Sequence, residues 1–301
     1  MKELALKAYC KVNLSLDVLR RREDGYHEVR MVMQSIDEAD EITLRKRDDT
    51  DGIQMIVENN PALECDERNL AWKAAAVLLE GRKDFGLTIC LKKHVPMAAG
   101  LGGGSSDAAA VLRGVNELYD LGYSLKELMA IGKKIGADVP FCVMGGTALA
   151  EGIGEKLTKL DPFPTCPILL AKPKIAVSTA YVYQHLDLMN ITNRPDNEAM
   201  LEALEAGNLT GVARAMGNVL ESAAIPGWPV IGEIREAIWE AGAISALMSG
   251  SGPSVYGLFS SEECAKKAAE NLAEKFDLEY LKVVHPVSAE DARKSSVTDS
   301  E

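Results

Sequence analysis

The residues best suited to chemistry in this 301-residue chain lie in two glycine-rich turns and at a few polar positions within apolar segments. The denser turn, Pro96-Met-Ala-Ala-Gly-Leu-Gly-Gly-Gly-Ser-Ser-Asp107, leads from a strand pattern into a strong helical one. Glycines and serines at a helix start let a ligand approach the backbone. They leave outward-facing N–H groups at the positive end of the helix dipole, which makes a cradle for phosphate. The turn lacks the Lys-Ser/Thr of a Walker A loop and does not match Gly-x-Gly-x-x-Gly. An ordinary loop capped by Ser or Asp is the plain alternative, but glycine density at a helix opening favours the cradle. The second turn, Ser249-Gly-Ser-Gly-Pro-Ser254, taken alone reads first as a tight helix-to-strand connection. Two such turns in one chain suggest a ligand held between two halves.

Lys11 and Asn13 share parity in the alternating stretch Tyr9-Cys-Lys-Val-Asn-Leu, so both side chains fall on one face of a strand. That face is either solvated or aimed into a cleft, where an ammonium suits a polyphosphate. Asp138, in Gly136-Ala-Asp-Val-Pro140, is either a turn former or N-cap, or a carboxylate that orients and deprotonates an attacking hydroxyl. His27 follows Asp24-Gly-Tyr26 on a turn exit and is as easily an exposed histidine as a functional one. Ser105 and Ser106 lack the Gly-x-Ser-x-Gly elbow of a hydrolase nucleophile. The four histidines form no His-x-x-x-His pair and no cluster with cysteine, so nothing in their spacing marks a metal site.

Positioning these groups falls to an α+β alternation of elements. Strands are expected at 8–19, 29–35, 41–45, 53–58, 87–92 and 148–150, with a charged turn over 20–26. Helices are expected at 69–79, capped by Asp66 or Asn69, at 105–119, and at 125–135, capped by Ser124. Asp161–Pro167 holds three prolines in seven residues and is the best candidate for a crossing between domains. Beyond it, strands are expected at 168–171, 255–259 and 280–285, and helices at 197–206, 208–220, 229–241 and 262–275. This divides the chain into an N-terminal domain over 1–160, a C-terminal domain over 161–287, and a polar tail over 288–301 that is expected to fray.

Composition narrows the class. A net charge of −12 and scattered Lys and Arg give no electrostatic footprint for nucleic acid. Apolar runs fall far short of the roughly 20 residues of a membrane span, and charges near the N-terminus break any secretory signal. No Cys-x-x-Cys spacing occurs among the six cysteines. They read as reduced thiols of a cytoplasmic protein, mostly core filler.

Taken together, Lys11-Val-Asn-Leu, Pro96-x-x-x-Gly-Leu-Gly-Gly-Gly-Ser-Ser-Asp107 and Ser249-Gly-Ser-Gly-Pro-Ser254, in that order, resemble the motifs of the GHMP kinases. That superfamily is named for galactokinase, homoserine, mevalonate and phosphomevalonate kinases, and the likeness runs along almost the whole chain. Three further segments resemble the branch whose acceptor is a cytidine-diphosphate-linked sugar alcohol of isoprenoid precursor synthesis. They are Arg22-Glu-Asp-Gly-Tyr-His27, Gly136-Ala-Asp-Val-Pro-Phe141 and Gly145–Glu155, and Val177–Tyr183 fits as well. Cys10 departs from the alanine usual before the lysine.

The resemblance implies two domains, one of the ribosomal-protein-S5 type that binds ATP and one ferredoxin-like, with the active site between them. It implies Lys11 and Asp138 as the catalytic pair. Pro96, Met97, Ala98, Ala99, Gly100, Leu101, Gly102, Gly103, Gly104, Ser105 and Ser106 would wrap the ATP phosphates, with Asn69 near the adenine. Asn13, Tyr26, His27, Thr179 and Tyr183 would hold the cytidine substrate, its base stacked between Tyr26 and Tyr183 at roughly 1–3 kcal/mol per stack. Mg2+ would bridge the phosphates on ligands the sequence does not single out. A monomer or a homodimer is equally compatible. A homoserine- or mevalonate-type kinase, or a non-catalytic nucleotide-binding member, would share the glycine turns.

Overall fold

The computed structural model describes residues 2–47, 52–82 and 85–299. The chain opens with strands β1 (Lys2–Arg21), β2 (His27–Arg47) and β3 (Gly52–Val57). There follow helix α1 (Leu70–Leu79), β4 (Gly86–Lys92), helices α2 (Gly103–Leu118), α3 (Leu125–Gly132) and α4 (Val139–Met144), then β5 (Thr147–Gly152) and β6 (Lys156–Lys159). The remainder runs β7 (Ile168–Pro173), α5 (Thr179–His185), α6 (Asn197–Glu205), α7 (Leu209–Ala215), β8 (Gly217–Asn218), α8 (Glu221–Gly227) and α9 (Pro229–Glu240). It closes with β9 (Ser245–Met248), β10 (Val255–Leu258), α10 (Glu262–Lys275), β11 (Leu278–Val284) and β12 (Ser295–Asp299).

Two sheets result, and the α+β class expected from the sequence holds. The larger has eight strands in the order β12-β1-β2-β4-β3, with β5 and β8 added at β2 and β1, and β6 on β5. Its spine is the antiparallel pair β1 and β2, whose register shifts between Tyr9 and Lys11 and again between Asn13 and Ser15. Such irregularities re-aim side chains locally. The smaller sheet is antiparallel, β11-β7-β10-β9. Alternation along β7 sends Leu169 and Ala171 toward the helices, into a core with Ile234 and Ile238 of α9 and Ala265 of α10. Ile168 and Leu170 point the other way and pack with Cys10, Val12 and Leu14 of β1. The two sheets are therefore joined through the apolar face of the strand that carries Lys11 and Asn13. Tyr256 reinforces the joint, its buried hydroxyl donating to the Asn13 carbonyl at 2.7 Å.

Three readings change. The acidic run 36–40 is not a break between strands but part of the continuous β2. Its buried carboxylates are matched from elsewhere in the chain: Lys282 donates to Glu38 at 2.5 Å, and Lys93 pairs with Asp40. The segment 208–220 is not one helix, because α7 stops at Ala215 and β8 then pairs with Ser15 and Leu16 of β1. The tail is not frayed over its described residues, and 300–301 lie outside them: β12 pairs with β1, and just before it Ala292 is buried and its carbonyl accepts from the Arg113 guanidinium at 3.2 Å. No described helix is long and apolar enough to cross a membrane.

Candidate active site

Lys11 is only 4% exposed, and its ammonium is held from three sides. It donates to Asn13 Oδ1 at 2.7 Å and to the Gly100 carbonyl at 3.1 Å, and it lies 3.5 Å from Asp138 Oδ2. The Lys11 main-chain N–H also donates to the Leu101 carbonyl at 3.0 Å, which ties strand and turn together. Asp138 stands at the start of α4, where Pro140 occupies the first turn, and its side chain keeps 31% exposure. An anchored ammonium thus faces a carboxylate that solvent and substrate can reach.

The two glycine-rich turns meet beside this pair. Gly100 has a φ of +75°, and a Cβ there would lie 2.2 Å from the Ser249 carbonyl, so only glycine fits. The Ser249 hydroxyl donates to the Gly100 carbonyl at 3.0 Å. Gly102, with a φ of +70°, opens α2, and a Cβ there would stand 3.3 Å from the Lys11 side chain. The first N–H groups of α2 have no partner within the helix.

A cleft of about 820 Å3 opens on one side of this junction. Lys11, Asn13, Gly100, Gly102 and Asp138 line it together with Tyr26, His27, Thr179 and Tyr183, so all five predicted acceptor residues face one space. Their arrangement differs in one respect from the expected aromatic sandwich. Tyr183 meets the His27 ring, with centroids 5.0 Å apart, while Tyr26 is 62% exposed on its turn and makes no ring contact among the described residues. Burial and the neighbouring Arg21 hold the His27 imidazole below its usual range, so the ring is neutral at neutral pH. Burial, with the Asp138 charge in support, pushes the Tyr183 phenol up to about 12, which keeps its hydroxyl protonated. The Thr179 and Ser251 hydroxyls share a 2.7 Å hydrogen bond that links α5 to the second turn.

A smaller cavity, about 380 Å3, lies on the other side, and Asn69 and residues 96–105 line it. The two cavities share Ala98, Gly100 and Gly102. Asn69 caps α1, its Oδ1 accepting from the Ala71 N–H at 2.9 Å and its Nδ2 donating to the Glu64 carbonyl at 2.9 Å. Ala99 and Leu101 turn their side chains into the core and offer the cavity their backbone. Ser106 does not line the cavity: its hydroxyl folds back onto the Gly103 carbonyl at 2.7 Å.

Lys93 and Asp107 were not among the expected site residues, yet both line this cavity. Lys93 bridges Asp40 and Asp107, the latter at 2.8 Å. Asp40 also accepts the His94 and Val95 N–H groups, at 2.6 and 2.9 Å. Asp107 Oδ1 is buried with no hydrogen-bond partner. Burial raises the Asp107 carboxyl to about 8 despite the pull of Lys93, so it holds a proton at neutral pH. The adjacent thiol of Cys10 is fully buried and pushed well up by that burial, hence inert.

A carboxylate and an anchored ammonium beside a glycine-rich helix start, where two cavities meet, are an arrangement suited to a small-molecule kinase. Family models agree, with the GHMP kinases N terminal domain matching residues 69–146 and the GHMP kinases C terminal domain matching 200–278. The 4-diphosphocytidyl-2-C-methyl-D-erythritol kinase of Acetivibrio thermocellus is 49% identical over 90% of this chain and 95% of its own length. That of Geobacillus thermodenitrificans is 50% identical over 85% and 88%. The crystal structure of a 4-(cytidine 5'-diphospho)-2C-methyl-D-erythritol kinase superposes with a TM-score of 0.79 at 34% identity, covering 93% of this chain and 98% of its own. Homoserine kinase from Cytophaga hutchinsonii shares the fold, with a TM-score of 0.76 at 21% identity over 98% and 97%. The chain belongs to the GHMP kinases and, within them, to the 4-diphosphocytidyl-2-C-methyl-D-erythritol kinase family.

Proposed function

We propose that the protein transfers the γ-phosphoryl group of ATP to the 2-hydroxyl of 4-diphosphocytidyl-2-C-methyl-D-erythritol. The observation that carries this reading is the Lys11–Asp138 pair, 3.5 Å apart, where the two cavities share residues. On this reading residues 1–160 bind the nucleotide and 161–287 complete the acceptor side. The adenine lies toward Asn69, and the phosphates follow Gly100 to Ser105.

Phosphoryl transfer asks for positioning and charge neutralisation more than covalent chemistry. Asp138 accepts the proton of the acceptor hydroxyl as its oxygen attacks the γ-phosphorus. The bond to the β-phosphate oxygen breaks and ADP leaves. Lys11 stabilises charge on the group in flight, and because Asn13 and Gly100 already fix it, little reorganisation is needed. The amides at the start of α2 neutralise the β-phosphate. Mg2+ supplies further charge neutralisation when bound with ATP. The donors at the junction, the Ser105 hydroxyl and the Asp138 carboxylate, are oxygens, which fits a hard cation held chiefly by phosphates and water. Neutral His27 reads the cytosine edge by hydrogen bonds, which discriminate between bases more sharply than apolar contact. Tyr183 supports the base on one side, and Tyr26, exposed on its turn, covers the other.

An assay of ADP release with the cytidine-diphospho polyol, mevalonate and homoserine tests this reading. The polyol should be the preferred acceptor, and Asp138→Ala should lower kcat by about 10²–10⁴-fold, the range for a lost general base. Preference for either control acceptor, or near-normal turnover by the variant, would overturn it.

A further inference from the structure

A third cavity, of about 640 Å3, shares no lining residue with the two at the active site. Three arginines line it: Arg194 from the segment after α5, Arg214 from the last turn of α7 and Arg235 from α9. Glu221 is the one carboxylate in the lining. Arg235 donates to Glu221 Oε2 at 2.5 Å, and Arg194 pairs with Asp17 and the Val18 carbonyl. Arg214 is exposed and has no ion pair or hydrogen-bonded side-chain partner among the described residues. In a chain carrying a net charge of −12, this is a local reversal of sign.

We propose that this cavity binds a small molecule bearing a diphosphate group. Guanidinium forks match the oxygen array of phosphates bidentately, and three forks from separate elements suit a ligand with several anionic oxygens better than a single carboxylate. The volume exceeds what an inorganic ion fills, and Ile191, Met216, Ile225 and Leu247 provide an apolar wall for an organic substituent.

The floor of the cavity is wired to the active site. Glu221 Oε1 accepts the Met248 N–H at 2.9 Å, and Asn218 Nδ2 donates to the Met248 and Gly250 carbonyls at 2.9 and 2.7 Å. Gly250 in turn lines the acceptor cleft. An anion that draws Arg235 away from Glu221 therefore loosens the support of the second glycine-rich turn. Arg194 reaches β1, the strand of Lys11 and Asn13, through Asp17. Occupancy thus alters the acceptor cleft without entering it.

Titration calorimetry on the enzyme saturated with a non-hydrolysable ATP analogue tests the site, with inorganic pyrophosphate and pentyl diphosphate as probes. We expect one binding event per chain, weakened at least tenfold in Arg214→Glu, while that variant keeps its kinase rate without probe. Tighter binding of the pentyl ester assigns the apolar wall to an organic ligand, and equal binding assigns the site to pyrophosphate itself. No binding to the saturated enzyme, or equal affinity in the variant, overturns the proposal.

Discussion

At Gly102 a single methyl group would press on both Lys11 and Asp138. A Cβ there would meet Lys11 at 3.3 Å and Asp138 Oδ2 at 3.5 Å, and left-handed φ costs an L-residue about 1–2 kcal/mol. Gly102→Ala should lower kcat at least tenfold and reduce the thermal midpoint. Gly104→Ala, whose Cβ would meet only Leu70 at 3.7 Å, should leave the midpoint unchanged. Steady-state kinetics and thermal melts of both variants check this, and equal kcat values for Gly102→Ala and wild type would refute it. The shared face of Lys11 and Asn13 was legible because a strand's period of two fixes it. Lys93 was not, since a lysine before a proline turn reads as solvated, and its partners Asp40 and Asp107 lie far away in sequence. The contact of His27 with Tyr183 was hidden for the same reason.

At the scale of elements, a carboxyl is built into the first turns of α2, the helix that opens at the denser glycine-rich turn. Asp107 carries no net repulsion toward a nucleotide while it keeps its proton. Between the ordinary carboxylate range near 4 and about 8, the folded protein binds a proton that the unfolded chain has lost. Its contribution to stability is complete below that window and disappears as pH rises through about 8. The wild-type thermal midpoint should therefore fall more steeply between pH 5 and 9 than that of Asp107→Asn, and parallel curves would remove Asp107 as the cause. Helices α1 and α2 were read nearly to their ends, because apolar period, Asn69 capping and glycine punctuation agree. Strand β2 was read in two pieces because acidic residues signal loops, and the lysines that make its middle buriable come from β11 and from just after β4. The break after α7 carries no breaker stronger than Gly217, and pairing with β1 imposes it.

The whole molecule is closed by residues that looked least structured. The tail covers the β1 edge, Arg293 donates to the Met144 carbonyl at 3.0 Å, and the half-buried Arg113 reaches Ala292. Burial lowers the Arg113 guanidinium to about 10, a sign of how little water reaches it. Ending the chain after Val287 would leave the Arg113 guanidinium with the Cys142 carbonyl but without that of Ala292, and would bare a strand edge. An orphaned buried polar group costs about 1–3 kcal/mol, so the midpoint should drop by roughly 3–10 °C. Self-association should rise through the open edge. Melting and gel filtration check this, and unchanged values in both would refute it. Edge strands made of polar residues leave no periodic trace, which is why sequence missed the tail. One oxygen then has a use of its own. The Gly100 carbonyl accepts one hydrogen bond from Lys11 of the first sheet's central strand and another from Ser249 beside the second sheet. A ¹³C label at that carbon would report in a single resonance whether both halves of the enzyme are seated.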